Sequence, residues 1–187
     1  MDVFKSLICF GVATGMCWVT HAAESLLLEA EDFQFFGGWS RVEDRDASGR
    51  FYLLVPPSDP HGDAYDAVTQ IVLDGDGEYA FWVRSRDFAQ NRPKMRRFAL
   101  LVDNVPFKTE GGTHGREGFA WQALGTRTLK AGDHLLILRD TAHAYGRCDA
   151  LFITRANKDL QTLSPHQLKA LRAKPHALTV AEPEAFK

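Results

Sequence analysis

LLLEAEDFQFFGGW, residues 26–39, opens two readings of the chain. Leu26, Leu27 and Leu28 form an apolar run that suits a strand, and Glu29 and Glu31 follow at alternate positions. Side chains two apart on a strand point the same way. The spacing therefore predicts Glu29 and Glu31 on one face, with Leu28 and Ala30 on the other. Adjacent carboxylates repel unless water screens them or a cation lies between them. The stretch is thus either a strand with a solvated face or one edge of a metal centre. Calcium takes about six to eight oxygens from carboxylates and backbone carbonyls. Asp149 is the candidate third carboxylate, and the loop RDASGR at 45–50 offers carbonyls for the remainder.

Outward from this stretch, the body over 26–154 reads as all-β. Short runs rich in β-branched and aromatic residues are separated by Gly, Pro, Asn and Asp. After the first come FYLLV at 51–55, AVTQIVL at 67–73 and EYAFWVRSR at 78–86, then RRFALLVD at 96–103. FAWQAL and TRTL lead into KAGD, and HLLILRD at 134–140 and CDALFITR at 148–155 close the set. DGDG at 74–77 predicts a hairpin or tight connection between its flanking strands. Eight or nine strands without an intervening helical period predict a β-sandwich, in jelly-roll form. Trp82, alternating within EYAFWV, is expected in the core. SPHQLKALRAK at 164–174 carries a capping Ser164 and Pro165 at the first helical position, which predicts one short C-terminal helix.

The first 23 residues read as a signal peptide: Lys5, an apolar run from Leu7 to Val19, then Ala22 and Ala23. The run is shorter than a membrane span requires. Cys9 and Cys17 lie within that segment, so the mature chain keeps Cys148 alone and forms no internal disulfide. A secreted or periplasmic domain over 24–156 is expected, with a short helix and tail over 157–187. The formal net charge of -2 and the mixed charge pattern offer no basic stripe for nucleic acid, and no membrane association is expected after cleavage.

Two ends of the chain, EAED…GGW and RCDALFIT, frame DGEYAFWVR and KAGDHLLIL between them. Together they resemble the carbohydrate-binding module superfamily of families 6 and 35, galactose-binding-like sandwiches with a structural calcium. That resemblance covers roughly residues 26 to 155 and implies Glu29, Glu31 and Asp149 as metal ligands. VRSRDF, GTHGREGFAW and DTAHAYGRCDAL are similar to the sandwich module attached to secreted bacterial FAD-dependent oxidoreductases and polysaccharide-degrading enzymes. No G-x-G-x-x-G follows a predicted strand, so flavin is not carried over.

Sugar binding needs an aromatic face and a few fixed polar groups. Four mixed loops supply candidates: Trp39 in FFGGWSR, Arg86 and Phe88 in SRDFAQNRP, His114 and Trp121 in GGTHGREGFAW, and His143, Tyr145 and Arg147 in DTAHAYGRCD. An arginine among them offers a fork for a uronic-acid carboxylate. No zinc spacing and no G-x-S-x-G is present, and carboxylates on one strand cannot flank a scissile bond. The expectation is a non-catalytic module that binds a poly- or oligosaccharide, acting beside a separate secreted enzyme. The alternatives are a protein-interaction module, which would use an apolar helix face at Leu168 and Leu171, and a small lyase or hydrolase built on His114, His143, Tyr145 and Arg86.

Overall fold

The structure, a computed structural model, describes residues 25–57, 65–143 and 145–155, with Leu160, Gln167 and Ala170. The expected signal peptide lies outside these residues. So does the expected C-terminal helix, apart from Gln167 and Ala170, which are helical and exposed.

Ten strands form two antiparallel sheets. The first has the order β2-β3-β10-β5-β8, with β1 beside β10. These strands are β1 (Ser25–Glu29), β2 (Ser40–Glu43), β3 (Phe51–Leu54), β5 (Gly77–Asp87), β8 (Gly118–Leu129) and β10 (Arg147–Thr154). The second has the order β4-β9-β6-β7, from β4 (Ala67–Leu73), β6 (Phe98–Val102), β7 (Val105–Pro106) and β9 (Gly132–Asp140). The all-β sandwich read from the periodicity is the fold observed.

Period-two patterning explains how each sheet finds its partner. Along β5, Tyr79, Phe81, Val83, Ser85 and Asp87 are buried while Trp82, Arg84 and Arg86 are only half-buried. Tyr79, Phe81 and Val83 of this set meet Leu151 and Ile153 of β10, and Leu100, Leu136 and Leu138 of the second sheet, in one core. Burial of such side chains stabilises by about 1.5–3 kcal/mol each.

Two readings are corrected, one is narrowed and one strand is added. The first strand stops at Glu29, and Ala30–Asp32 form a 3-10 turn, so Glu31 does not share a strand face with Glu29. Of the two options for DGDG the structure has the tight connection and not the hairpin: β4 and β5 belong to different sheets, and the turn crosses between them. Its carbonyls are held by Tyr79 and Arg155, whose Nη2 donates to the Asp76 carbonyl at 2.8 Å. β2 was not foreseen, because its residues are mostly exposed and show no apolar alternation. Trp82 is not in the main core. It packs on the outer face of the first sheet with Leu27, Phe152 and Trp121, under Leu160.

β1 and β3 share one flank of β10. β1 pairs residues 150–154, with Glu29 opposite Ala150, and β3 pairs Arg147 and Cys148. Asp149 lies where the pairing of β10 with β5 shifts register. The first and last strands and the β2–β3 loop therefore meet at one point.

Candidate carboxylate centre and loop cleft

That meeting point gathers the three predicted metal ligands under residues 44–50. The loop is folded by its own backbone, with Asp44 N donating to the Arg50 carbonyl at 2.9 Å and Ala47 N to the Asp44 carbonyl at 3.1 Å. It lies across the outer face of the first sheet. Ser48 N donates to Asp149 Oδ1 at 3.0 Å, and the Ser48 hydroxyl donates to Glu29. A Cβ on Gly49 would stand 2.0 Å from Glu31 Oε1 and 3.2 Å from Glu29 Cδ. Both glutamates thus converge beneath one glycine, although only Glu29 is on the strand.

Charge compensation is incomplete there. Arg84 ion-pairs with the fully buried Asp149 and donates to the Asp46 carbonyl at 3.1 Å. Glu31 Oε2 is buried without a hydrogen-bond partner. Burial, then Glu29 and Asp149, push the Glu31 carboxyl up to about 7. Burial also raises Asp149 to about 6 in spite of Arg84. Among the described residues no three carboxylate, His or Cys side chains form a complete metal-holding group, and Asp149 is ion-paired with Arg84. The donor set still fits a hard cation: two converging carboxylates, a third beside them, and an orphaned oxygen in a glycine cradle. Cys148, next along β10, is fully buried, and burial followed by the same carboxylates holds its thiol well above the ordinary range. It is a core residue and not an accessible thiolate.

The predicted sugar contacts scatter. Trp39 is a correction: it is 4% exposed and packs edge-on against Phe98 at 5.7 Å, so it presents no face to a ligand. Trp121 is half-buried under Leu160 and edge-on to Phe152 at 6.4 Å. Arg86 is ion-paired with Asp44 and so is committed to the β2–β3 loop. His114 braces the chain, with Nε2 3.0 Å from the Ser85 carbonyl and Nδ1 accepting from Arg116 N at 3.1 Å. Two members of the lyase set are thus committed to structure: Arg86 is held by Asp44, and His114 by the backbone of Ser85 and Arg116.

Tyr145 and Arg147 do line an open cleft of about 460 Å³ between the β5–β6 and β9–β10 loops. The β5–β6 loop supplies Asn91, Arg92, Met95 and Arg96; the β9–β10 side adds Ala142. Tyr145 is 46% exposed. Phe88 lies against this group, with the guanidinium carbons of Arg96, Arg86 and Arg147 at 4.1, 5.1 and 5.3 Å from its ring centre. Arg92, Lys94, His143 and Tyr145 all hold positive φ, between 57° and 67°. Non-glycine residues in that region are costly and concentrate at functional loops. Sequence reasoning missed Arg92, Met95 and Arg96; the basic run RPKMRR at 92–97 was their signal.

No protein-family model matches the chain, and no curated protein matches it. Solved structures do. A family 35 carbohydrate-binding module from Clostridium thermocellum aligns with a TM-score of 0.55 at 20% identity, over 68% of this chain and 97% of the module. The fold is shared with family 35 carbohydrate-binding modules. The Podospora anserina GH26-CBM35 β-(1,4)-mannanase aligns with the same TM-score and identity, over 73% of this chain. An exo-β-1,3-galactanase from Phanerochaete chrysosporium aligns at 0.52 and 14%. This chain spans 29% of the length of each of those two enzymes.

Proposed function

We propose that this chain is a secreted, non-catalytic carbohydrate-binding module, stapled by a structural calcium ion. Its glycan seat is the cleft between the β5–β6 and β9–β10 loops. The observation that carries the reading is Tyr145, whose exposed ring stands on the same cleft as Asn91 and Arg147. A ring face for the apolar side of a sugar, with fixed donors beside it, is what glycan recognition needs. The likeness of the fold to family 35 modules supports the same reading. Glu29, Glu31 and Asp149 would hold the calcium, whose charge would offset the mutual repulsion that helps to raise the Glu31 carboxyl. Its role is to join β1, β10 and the β2–β3 loop, not to take part in a reaction.

Calorimetric titration of the mature chain against a panel of oligosaccharides tests the seat. Binding to at least one of them is expected, with Tyr145→Ala weakening it at least about tenfold while the melting midpoint stays unchanged. Undiminished affinity in Tyr145→Ala, or no binding across the panel, would overturn the assignment.

A further inference from the structure

Phe88, the residue that follows β5, is half-buried and carries three guanidiniums around its ring. They arrive from three segments: Arg96 from the end of the β5–β6 loop, Arg86 from β5 itself and Arg147 from the start of β10. Each is also pinned elsewhere. Arg96 Nη1 donates to the carbonyls of Asn91 at 3.2 Å and Arg92 at 3.1 Å, and so gathers the β5–β6 loop. Arg147 Nη1 donates to the Tyr145 carbonyl at 3.0 Å, in the β9–β10 loop. Arg86 is ion-paired with Asp44, in the loop over the carboxylate centre. Asp44 is itself fixed there, with Oδ1 accepting from Asp46 N at 2.9 Å.

Both walls of the cleft therefore rest on one ring. Two guanidiniums brought together repel, and Arg147, after burial, lowers the basicity of Arg96. Attraction of each cation to the ring opposes that repulsion and sets how closely the two can approach. Neither Phe88 nor Arg86 is among the residues that line the cleft. Arg86 lies between two rings, with its guanidinium carbon 5.1 Å from the centre of Phe88 and 5.3 Å from that of Phe119, which is its partner across β5 and β8. Its charge is met by Asp44, so it holds the ring from behind.

Resting on the glycan seat proposed above, we infer that Phe88 and Arg86 are positioning residues for that seat and not sugar contacts. The Phe88 ring is the spacer between the Arg96 wall and the Arg147–Tyr145 wall, and the Asp44–Arg86 pair keeps the ring in place. The seat is thereby tied to the β2–β3 loop through a side-chain contact that spans 42 residues of sequence.

The test reads the mature chain with and without ligand. Amide hydrogen exchange reports on the walls, and calorimetry with xylo-, manno- and galacto-oligosaccharides reports on the seat. Phe88→Leu keeps apolar bulk but removes the ring face. Exchange should then accelerate about three- to tenfold in both walls together, at 89–96 and at Ala142, His143 and Tyr145, with affinity weakened by a similar factor. Strands β4 and β9 should be unaffected. Phe88→Tyr keeps the ring and should match the unaltered chain in both readouts. Arg86→Gln and Asp44→Asn should each give part of the effect, and combined they should add little to the larger one, because they break one contact. These two variants carry the test if Phe88→Leu does not fold. Acceleration in one wall alone, in every strand or in none would overturn the inference and leave the seat intact. So would a Phe88→Tyr variant as impaired as Phe88→Leu. Walls that respond as expected in a chain that binds none of the oligosaccharides would overturn the seat and keep Phe88 as the spacer of the cleft.

Discussion

At Gly49 an added methyl group would stand 2.0 Å from Glu31 Oε1 and 3.2 Å from Glu29 Cδ. The backbone there is not left-handed, so the requirement for glycine is space and not conformation. Gly49→Ala must displace the Glu31 carboxyl or lift the loop, and either opens the cradle over Glu29 and Glu31. The expected result is a loss of about 1–3 kcal/mol of stability, read by urea denaturation, and a melting midpoint that no longer responds to calcium. A variant with unchanged stability and calcium response would show that the cradle is not closed over the carboxylates. The same scale explains Trp39. Its indole lies after two glycines in sequence, but the turn directs it inward onto Phe98.

Asp87 ends β5 with its side chain fully buried and accepts backbone hydrogens from two different loops. One carboxylate thereby ties the cleft-forming β5–β6 loop to the turn before β8. Ser85, two residues earlier, adds a second tie, with Gly112 N donating to its hydroxyl at 3.0 Å. Asp87→Ala leaves buried N–H groups unmatched, at about 1–3 kcal/mol for the group lost. Amide hydrogen exchange should accelerate in residues 88–95 and 113–117 but not in β10, and glycan affinity at the cleft should fall. Asp87→Asn, which keeps one acceptor oxygen, should be milder in both readouts. Uniform acceleration across the sandwich would mean that Asp87 supports the core and not the loops.

For the molecule as a whole, the carboxylate centre couples pH, calcium and stability. The folded carboxyls of Glu31 and Asp149 titrate at about 7 and about 6, above their ordinary values of 4.5 and 3.8. The folded state thus binds protons more readily than the unfolded chain, so their ionisation opposes folding. That destabilisation is absent at pH below the ordinary values and complete above about pH 7. In chelator the midpoint should therefore fall as pH rises from about 5 to about 7. Calcium binds the ionised groups and raises the native state by mass action, so the gap between calcium and chelator melts should widen with pH. Glu31→Gln should flatten the fall and remove most of the gap. Superimposed melts with and without calcium at every pH would sink the staple and leave Arg84 as the cation that the described residues supply to Asp149.

The strand inventory was legible because period-two alternation is local. AVTQIVL at 67–73 is a strand over its full length, and β5, β9 and β10 fall within a residue or two of their apolar runs. The nearness of Glu29, Glu31 and Asp149 was also expected, but the argument from a shared strand face was not the physical reason for it. A 3-10 turn after Glu29, and a glycine nineteen or so positions away, bring the carboxylates together. Local alternation cannot report which sheet a strand joins, and so hairpin and tight connection both stayed open for β4–β5. Nor can it report which arginine finds an acid. Arg86 meets Asp44, 42 residues away, while Arg96 and Arg147 meet no carboxylate among the described residues. Backbone periodicity and hydrophobic burial, which neighbours in sequence share, determined the sandwich. Ion pairing and loop closure depend on which distant segments meet, and only the tertiary structure decided those.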